Sequence, residues 1–230
     1  MTLQPHILVI IPAFNEAKSI DKVIAEIPEF VREIVVVNNN SNDATSKVAA
    51  AAGATVLDEA RQGYGFACLK GIAYAKTKAP DIIVFLDADY SDFPAEMSDV
   101  VKPIIEQNFD MVIGSRALGN KESGSMTPQQ IFGNWLATTL IKWIYKVEYT
   151  DLGPFRAIKF DKLLALEMKD TTYGWTVEMQ LKAAKQQYKT VEVPVNYRQR
   201  IGHSKVSGTL KGTVLAGYKI LSWIFKYSLK

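Results

Sequence analysis

The stretch IVFLDADYSD, residues 83–92, opens as an apolar run and closes on three carboxylates, Asp87, Asp89 and Asp92. A carboxylate at the end of a core strand is costly unless a cation meets it there. Four further runs are short and mostly apolar: ILVII at 7–11, IVVV at 34–37, ATVL at 54–57 and DMVI at 110–113. With 82–86 they predict five strands covered on both faces. The stretches 17–28, 43–52, 64–78 and 94–107 between them are helical in pattern. Strand alternating with helix predicts βαβ units, a mainly parallel sheet and right-handed crossovers, a Rossmann-like α/β layer.

Ligands of such sheets bind beyond the carboxyl ends of the strands. PAFNE (12–16), NNNSND (38–43) and DADYSD (87–92) all fall there. Asn, Ser and Asp at these turns also cap helices and make Asx turns, but on neighbouring strands they form a polar shelf suited to a nucleoside. Asp87 and Asp89, two residues apart, suit Mg2+ or Mn2+, which takes one or two carboxylates and completes its shell with water and substrate phosphates. The alternative pairs them with Arg or Lys and makes Asp92 a cap ahead of Pro94. RQGYGFACLKG (61–71) approaches a dinucleotide fingerprint, but Cys68 stands at the third glycine position. Gly63 and Gly65 are better used where backbone passes close to a nucleotide.

The second half changes character. GNKESGSMTPQQ (119–130) predicts a mobile loop, 131–149 a helix, DKLLALEM and GWTVEMQLKAAKQQ two more, and 189–200 a strand. Arg116 ends VIGSR, and YRQRIGHSK (197–205) gathers Arg198, Arg200 and Lys205, a cluster suited to phosphate oxygens or to a solvated basic face. The tail from 209 is amphipathic.

Composition bounds the rest. The chain has 230 residues, 48% hydrophobic and 22% charged, enough for a real core. A net charge of +3 is too mild to argue for nucleic acid. One cysteine excludes an internal disulfide framework, and two histidines leave no His-based zinc site. The N-terminus lacks the pattern of a signal peptide, and no stretch is long and apolar enough to span a bilayer. The expectation is a cytoplasmic single domain, 1–230, with a nucleotide-binding half (1–117) and an acceptor half (118–230).

These motifs, with TDLGPFRAI (150–158), resemble the family 2 glycosyltransferases of the GT-A fold, in particular the dolichol-phosphate mannose synthase branch. The resemblance implies that Pro12, Ala13, Asn15, Glu16, Asn39, Gly65, Asp87 and Ala88 line the nucleotide-sugar pocket. It further implies that Asp87 and Asp89 hold Mg2+ or Mn2+, and that Arg116, Arg198 and Lys205 meet phosphates. Asn39 stands where relatives often carry an aspartate, and Ser91 where mannose synthases often carry glutamine.

The implied reaction is inverting transfer from a nucleoside-diphosphate sugar, UDP favoured over GDP, to a polyprenyl phosphate. A lipid phosphate is already anionic, whereas a hydroxyl acceptor needs a base, for which Asp151 or Glu178 are candidates. The rival readings are a soluble acceptor and a non-catalytic nucleotide-sugar-binding module. Aromatic and lysine residues interleaved over 131–149 and 209–227 suit peripheral contact with a membrane surface, or packing on the sheet, a second copy or a membrane protein.

Overall fold

The computed structural model describes residues 5–202 and 210–228. Strands β1 (Ile7–Ala13), β2 (Glu33–Asn38) and β3 (Thr55–Asp58) alternate with helices α1 (Ile20–Ala25) and α2 (Thr45–Ala51). Helix α3 (Tyr64–Lys78) leads to β4 (Ile82–Phe85), and a short 3-10 turn (Pro94–Glu96) opens α4 (Met97–Gln107) before β5 (Met111–Ser115). Then follow α5 (Pro128–Tyr145), β6 (Arg156–Lys159), α6 (Phe160–Ala165), α7 (Trp175–Lys185), β7 (Thr190–Pro194) and α8 (Leu210–Ser228). The start of α5 is written in the sequence. Thr127 and Gln130 form a reciprocal capping box, and Pro128 occupies the first turn.

The seven strands among the described residues form one sheet in the order β3-β2-β1-β4-β6-β5-β7. The β1–β2, β1–β4, β2–β3 and β5–β7 pairs are parallel; β6 alone runs antiparallel, between β4 and β5. Alternate side chains feed two cores. Leu8, Ile10, Val35, Ile83 and Phe85 pack under α3, α5, α7 and α8. Val9, Ile11, Val36, Val84 and Leu86 pack under α1, α2 and α4. Phe85 meets Trp175 edge to face, with centroids 5.9 Å apart.

Because β2 and β4 leave β1 on opposite sides, a crevice opens where the strand order reverses. Asn38 pairs with Ala13 at one lip, and β4 runs out into Leu86 and Asp87 at the other.

The loop predicted at 119–130 is pinned instead. Tyr197 N–H donates to the Asn120 carbonyl at 2.9 Å, and Glu122 N–H to the Tyr197 carbonyl at 2.9 Å. Gln199 N–H donates to the Glu122 carboxylate at 2.8 Å. Polar residues that look like solvent loop from sequence find their partners in a strap, 195–201, some 75 residues downstream. At Gly119 a Cβ would fall 2.0 Å from the Val195 carbonyl oxygen. Gly119→Ala is therefore expected to cost about 1–3 kcal/mol by overpacking, read as a lowered urea midpoint; an unchanged midpoint would show the segment to be loosely held.

Candidate active site

The crevice is a cavity of about 420 Å³ lined by the ends of β1, β2 and β4 on one side and by residues 172–173 on another. Of the residues predicted from sequence, Pro12, Ala13, Glu16, Asn39, Asp87, Ala88 and Asp89 all line it. Six remote segments, around residues 12–16, 39, 62–64, 87–89, 172–173 and 200, thus converge on one space of the size that holds a small-molecule ligand.

Asn39 organises the β2 side of the cavity. Its Nδ2 donates to the carbonyls of Arg61 (2.7 Å) and Glu59 (3.3 Å), and its Oδ1 accepts from Gly63 N–H at 2.7 Å. The side chain expected to line the nucleotide-sugar pocket is thus already shaping the 59–63 loop. Gly63, with φ of 150°, is the glycine at the cavity. Gly65 lies in the first turn of α3, where a Cβ would meet the Asp170 carbonyl at 2.1 Å; its role is close packing. Asn15 does not line the cavity. It adopts φ of 56° and accepts from Asn42 N–H at 2.8 Å, building the loop beside it.

The acidic end of β4 is unevenly compensated. Asp89 accepts from Ser91 N–H and Oγ at 3.0 and 2.5 Å, and its other oxygen meets Arg200 Nη1 at 2.7 Å. Asp87 keeps some surface toward the cavity, yet its Oδ1 is sealed from solvent with no hydrogen-bond partner. Burial first and the Asp89 charge second push its carboxyl up to about 7, against the opposing pull of Arg200, the Tyr64 hydroxyl and Arg116. Asp92 is buried with both oxygens unpartnered, and burial followed by the charge of Asp87 raises it well above the carboxylate range. It does not cap the following turn, where no side-chain cap bond is present. Tyr90, between these acids, is held at φ of 66°, a strained position for a bulky residue.

The basic residues divide. Arg200 reaches the cavity. Arg116 does not line it: its guanidinium lies against Asp151, Nε to Oδ2 and Nη2 to Oδ1 both at 2.7 Å, under the Tyr197 ring. Arg198 does not line it either. It pairs with Glu26 at 2.7 Å and lies over Tyr90 and Phe93, so it fastens the strap to the 90–93 loop. Lys205 lies outside the described residues. The remote partners Glu26 and Asp151 explain the division, since nothing in a local motif reveals which arginine is already matched. Sequence reasoning also missed Phe14, Gln62, Tyr64, Thr172 and Tyr173 as lining residues. The TTYGW turn (171–175) was the available signal for the last two.

Two cavity carboxylates two residues apart, one with an unpartnered sealed oxygen, fit a hard divalent cation. No cluster of three metal-ligating side chains occurs among the described residues, so such a cation would draw most of its shell from water and a bound ligand.

A family model for glycosyl transferase family 2 matches residues 8–166, which carry the strand ends just described. The chain belongs to that family. A glycosyltransferase of Mycobacterium tuberculosis is 34% identical over 218 residues, covering 91% of this chain and 94% of its own length. The undecaprenyl-phosphate mannosyltransferase of Micrococcus luteus is 28% identical, covering 90% of each chain. The dolichyl-phosphate hexose transferase of Haloferax volcanii is 29% identical, covering 90% of this chain and 89% of its own. The solved structure of M. tuberculosis glucosyl-3-phosphoglycerate synthase, bound to Mn2+, UDP and phosphoglyceric acid, superposes with a TM-score of 0.77 at 20% identity, covering 97% of this chain and 78% of that one. The fold is therefore GT-A, and the protein is a glycosyltransferase.

With divalent ions chelated, the Asp87 shift has a defined sign. A carboxyl raised from 3.8 to about 7 keeps its proton in the folded state while the unfolded chain releases it. Its contribution to stability is therefore lost as pH rises through that window, by up to about 1.4 kcal/mol per pH unit. Asp87→Asn is expected to flatten the decline of melting temperature between pH 5 and 8; an identical slope in both proteins would refute the shift.

Proposed function

We propose that this glycosyltransferase moves a sugar, with inversion, from a nucleoside diphosphate to a polyprenyl phosphate at a membrane surface. The observation that carries the acceptor class is the fate of the candidate bases. Asp151 is consumed by Arg116. Glu178 is fully buried away from the cavity, accepting from Lys169 N–H, Asp170 N–H and Lys182 Nζ. Neither can take a proton from a hydroxyl in the cavity, and a phosphate acceptor needs no such base. Two relatives named for polyprenyl-phosphate acceptors support the same reading.

Asp87 and Asp89 would hold Mg2+ or Mn2+, which supplies neutralisation of the departing diphosphate. Pro12, Ala13, Glu16, Asn39 and Gly63 would line the nucleotide, and Ala88 would back the ribose or diphosphate. Arg200, released from Asp89, would donate hydrogen bonds to the phosphate oxygens. Arg116, Arg198 and Asn15 act by holding the loops that carry the others. UDP is favoured over GDP as the carrier, in keeping with the UDP bound by the structural neighbour.

The membrane reading rests on charge and exposure. Residues 193–230 contain seven basic residues and no acidic one. Phe132, Trp135 and Trp143 on α5 and Tyr218 and Phe225 on α8 are exposed, with Trp143 at 68% and Tyr218 at 72%. Trp223 is buried and Tyr145 and Tyr227 are half-buried, so these three of the predicted surface aromatics belong to the packing between helices. No described helix is long and apolar enough to cross a membrane. Exposed aromatics beside lysines suit the headgroup layer of an anionic bilayer.

A soluble acidic acceptor is the second reading, favoured by the phosphoglyceric acid bound in the structural neighbour. Incubation with labelled UDP-sugar, Mn2+ and vesicles carrying undecaprenyl phosphate separates the two. Label is expected in the organic phase; label confined to an aqueous product in the presence of phosphoglyceric acid would refute the lipid acceptor.

A further inference from the structure

The wall of the cavity opposite the strand ends is a single turn, and one buried carboxylate shapes it. Asp170 is 1% exposed. Its Oδ1 accepts from the N–H of Thr172 at 2.7 Å and of Gly174 at 3.1 Å, which sets the conformation that presents Thr172 and Tyr173 to the cavity. Its Oδ2 faces the other way, toward α8, where it accepts from Trp223 Nε1 at 2.5 Å and lies 3.3 Å from Lys219 Nζ. The two oxygens of one side chain therefore belong to two different structures, the cavity wall and the C-terminal helix.

The surroundings leave this turn little freedom to ignore α8. Phe66 N–H donates to the Thr171 carbonyl at 3.1 Å, and α3 approaches so closely that Gly63 and Gly65 have no room for a Cβ. On the α8 side a Cβ at Gly174 would lie 2.3 Å from the Trp223 ring. Glu178 repeats the connection one turn away. It accepts from Asp170 N–H at 2.7 Å, and the Tyr227 hydroxyl approaches it at 3.5 Å. Close-packed, charge-assisted contacts of this kind transmit displacement rather than absorb it.

We propose that Asp170 is a positioning residue that makes the substrate-facing turn 172–173 depend on the docking of α8 through Trp223 and Lys219. The proposal rests on the reading of the cavity as the nucleoside-diphosphate site. Because α8 also carries the exposed Tyr218 and Phe225, a surface that shifts α8 would be felt at the cavity wall without touching it.

The test is calorimetric binding, in Mn2+, of whichever of UDP and GDP the wild-type protein binds, below the melting temperature of every variant. Trp223→Phe removes the indole N–H and keeps an aromatic ring. Asp170→Asn keeps an oxygen for the turn but turns an NH2 toward the indole. Each is expected to weaken nucleotide binding roughly tenfold, since a hydrogen bond to a charged group is lost. Lys219→Gln, a milder cut at a more exposed position, should weaken it in the same direction by a smaller factor. Tyr218→Phe, on the same helix but exposed and away from Asp170, should leave affinity within about twofold. Lowered melting temperatures with unchanged affinity in Trp223→Phe and Asp170→Asn would overturn the proposal, as would an equal loss in Tyr218→Phe. Failure of the wild-type protein to bind either nucleotide would instead refute the assignment of the cavity.

Discussion

Carboxylates packed at the end of a buried strand must be answered by positive charge, and the rest of this structure is arranged around that demand. Asp87, Asp89 and Asp92 crowd the exit of β4, and the cations that could meet them are mostly committed. Arg116 belongs to Asp151 and Arg198 to Glu26. Arg200 alone among these arginines forms an ion pair with a carboxylate of the cluster, Asp89. The Asp87 carboxyl responds by shifting up to about 7, and burial raises Asp92 well above its ordinary value. In the proposed reaction a divalent ion arriving with a diphosphate would relieve what the protein leaves unbalanced, and would free Arg200 for the phosphates.

Holding such a cluster requires rigid surroundings. The strap at 195–201 lies along the 89–93 loop, with Arg198 N–H on the Ser91 carbonyl and Ile201 N–H on the Asp89 carbonyl, both at 2.9 Å. Beneath, Arg156 is fully buried and donates to carbonyls of Gly153, Leu152 and Thr176 rather than to an acid. Burial lowers it to about 10. Gln180 closes the same network onto Asp151. Buried polar groups satisfied this completely fix one geometry and no other.

The first half of the fold was legible because a parallel sheet covered on both faces leaves a strong mark: short apolar runs, each ending in a polar turn. Strand β6 was not. Its four residues, RAIK, carry a buried arginine and a lysine, so the pattern gives no sign of a strand wedged antiparallel between β4 and β5. The cavity residues supplied by strand ends were legible for the same reason as the strands. Those set by distant partners were not: the role of Arg198 depends on Glu26, 172 residues away, and the place of Tyr173 depends on a turn that Asp170 and α8 form together.

The most direct test of the central claim, that the acidic end of β4 is completed by a divalent cation and a nucleoside diphosphate together, is titration calorimetry of UDP and GDP with Mn2+ and with EDTA. The account predicts that one of them binds in Mn2+ and weakens at least tenfold in EDTA, because the diphosphate then meets bare carboxylates. Equal affinity in the two buffers would contradict it.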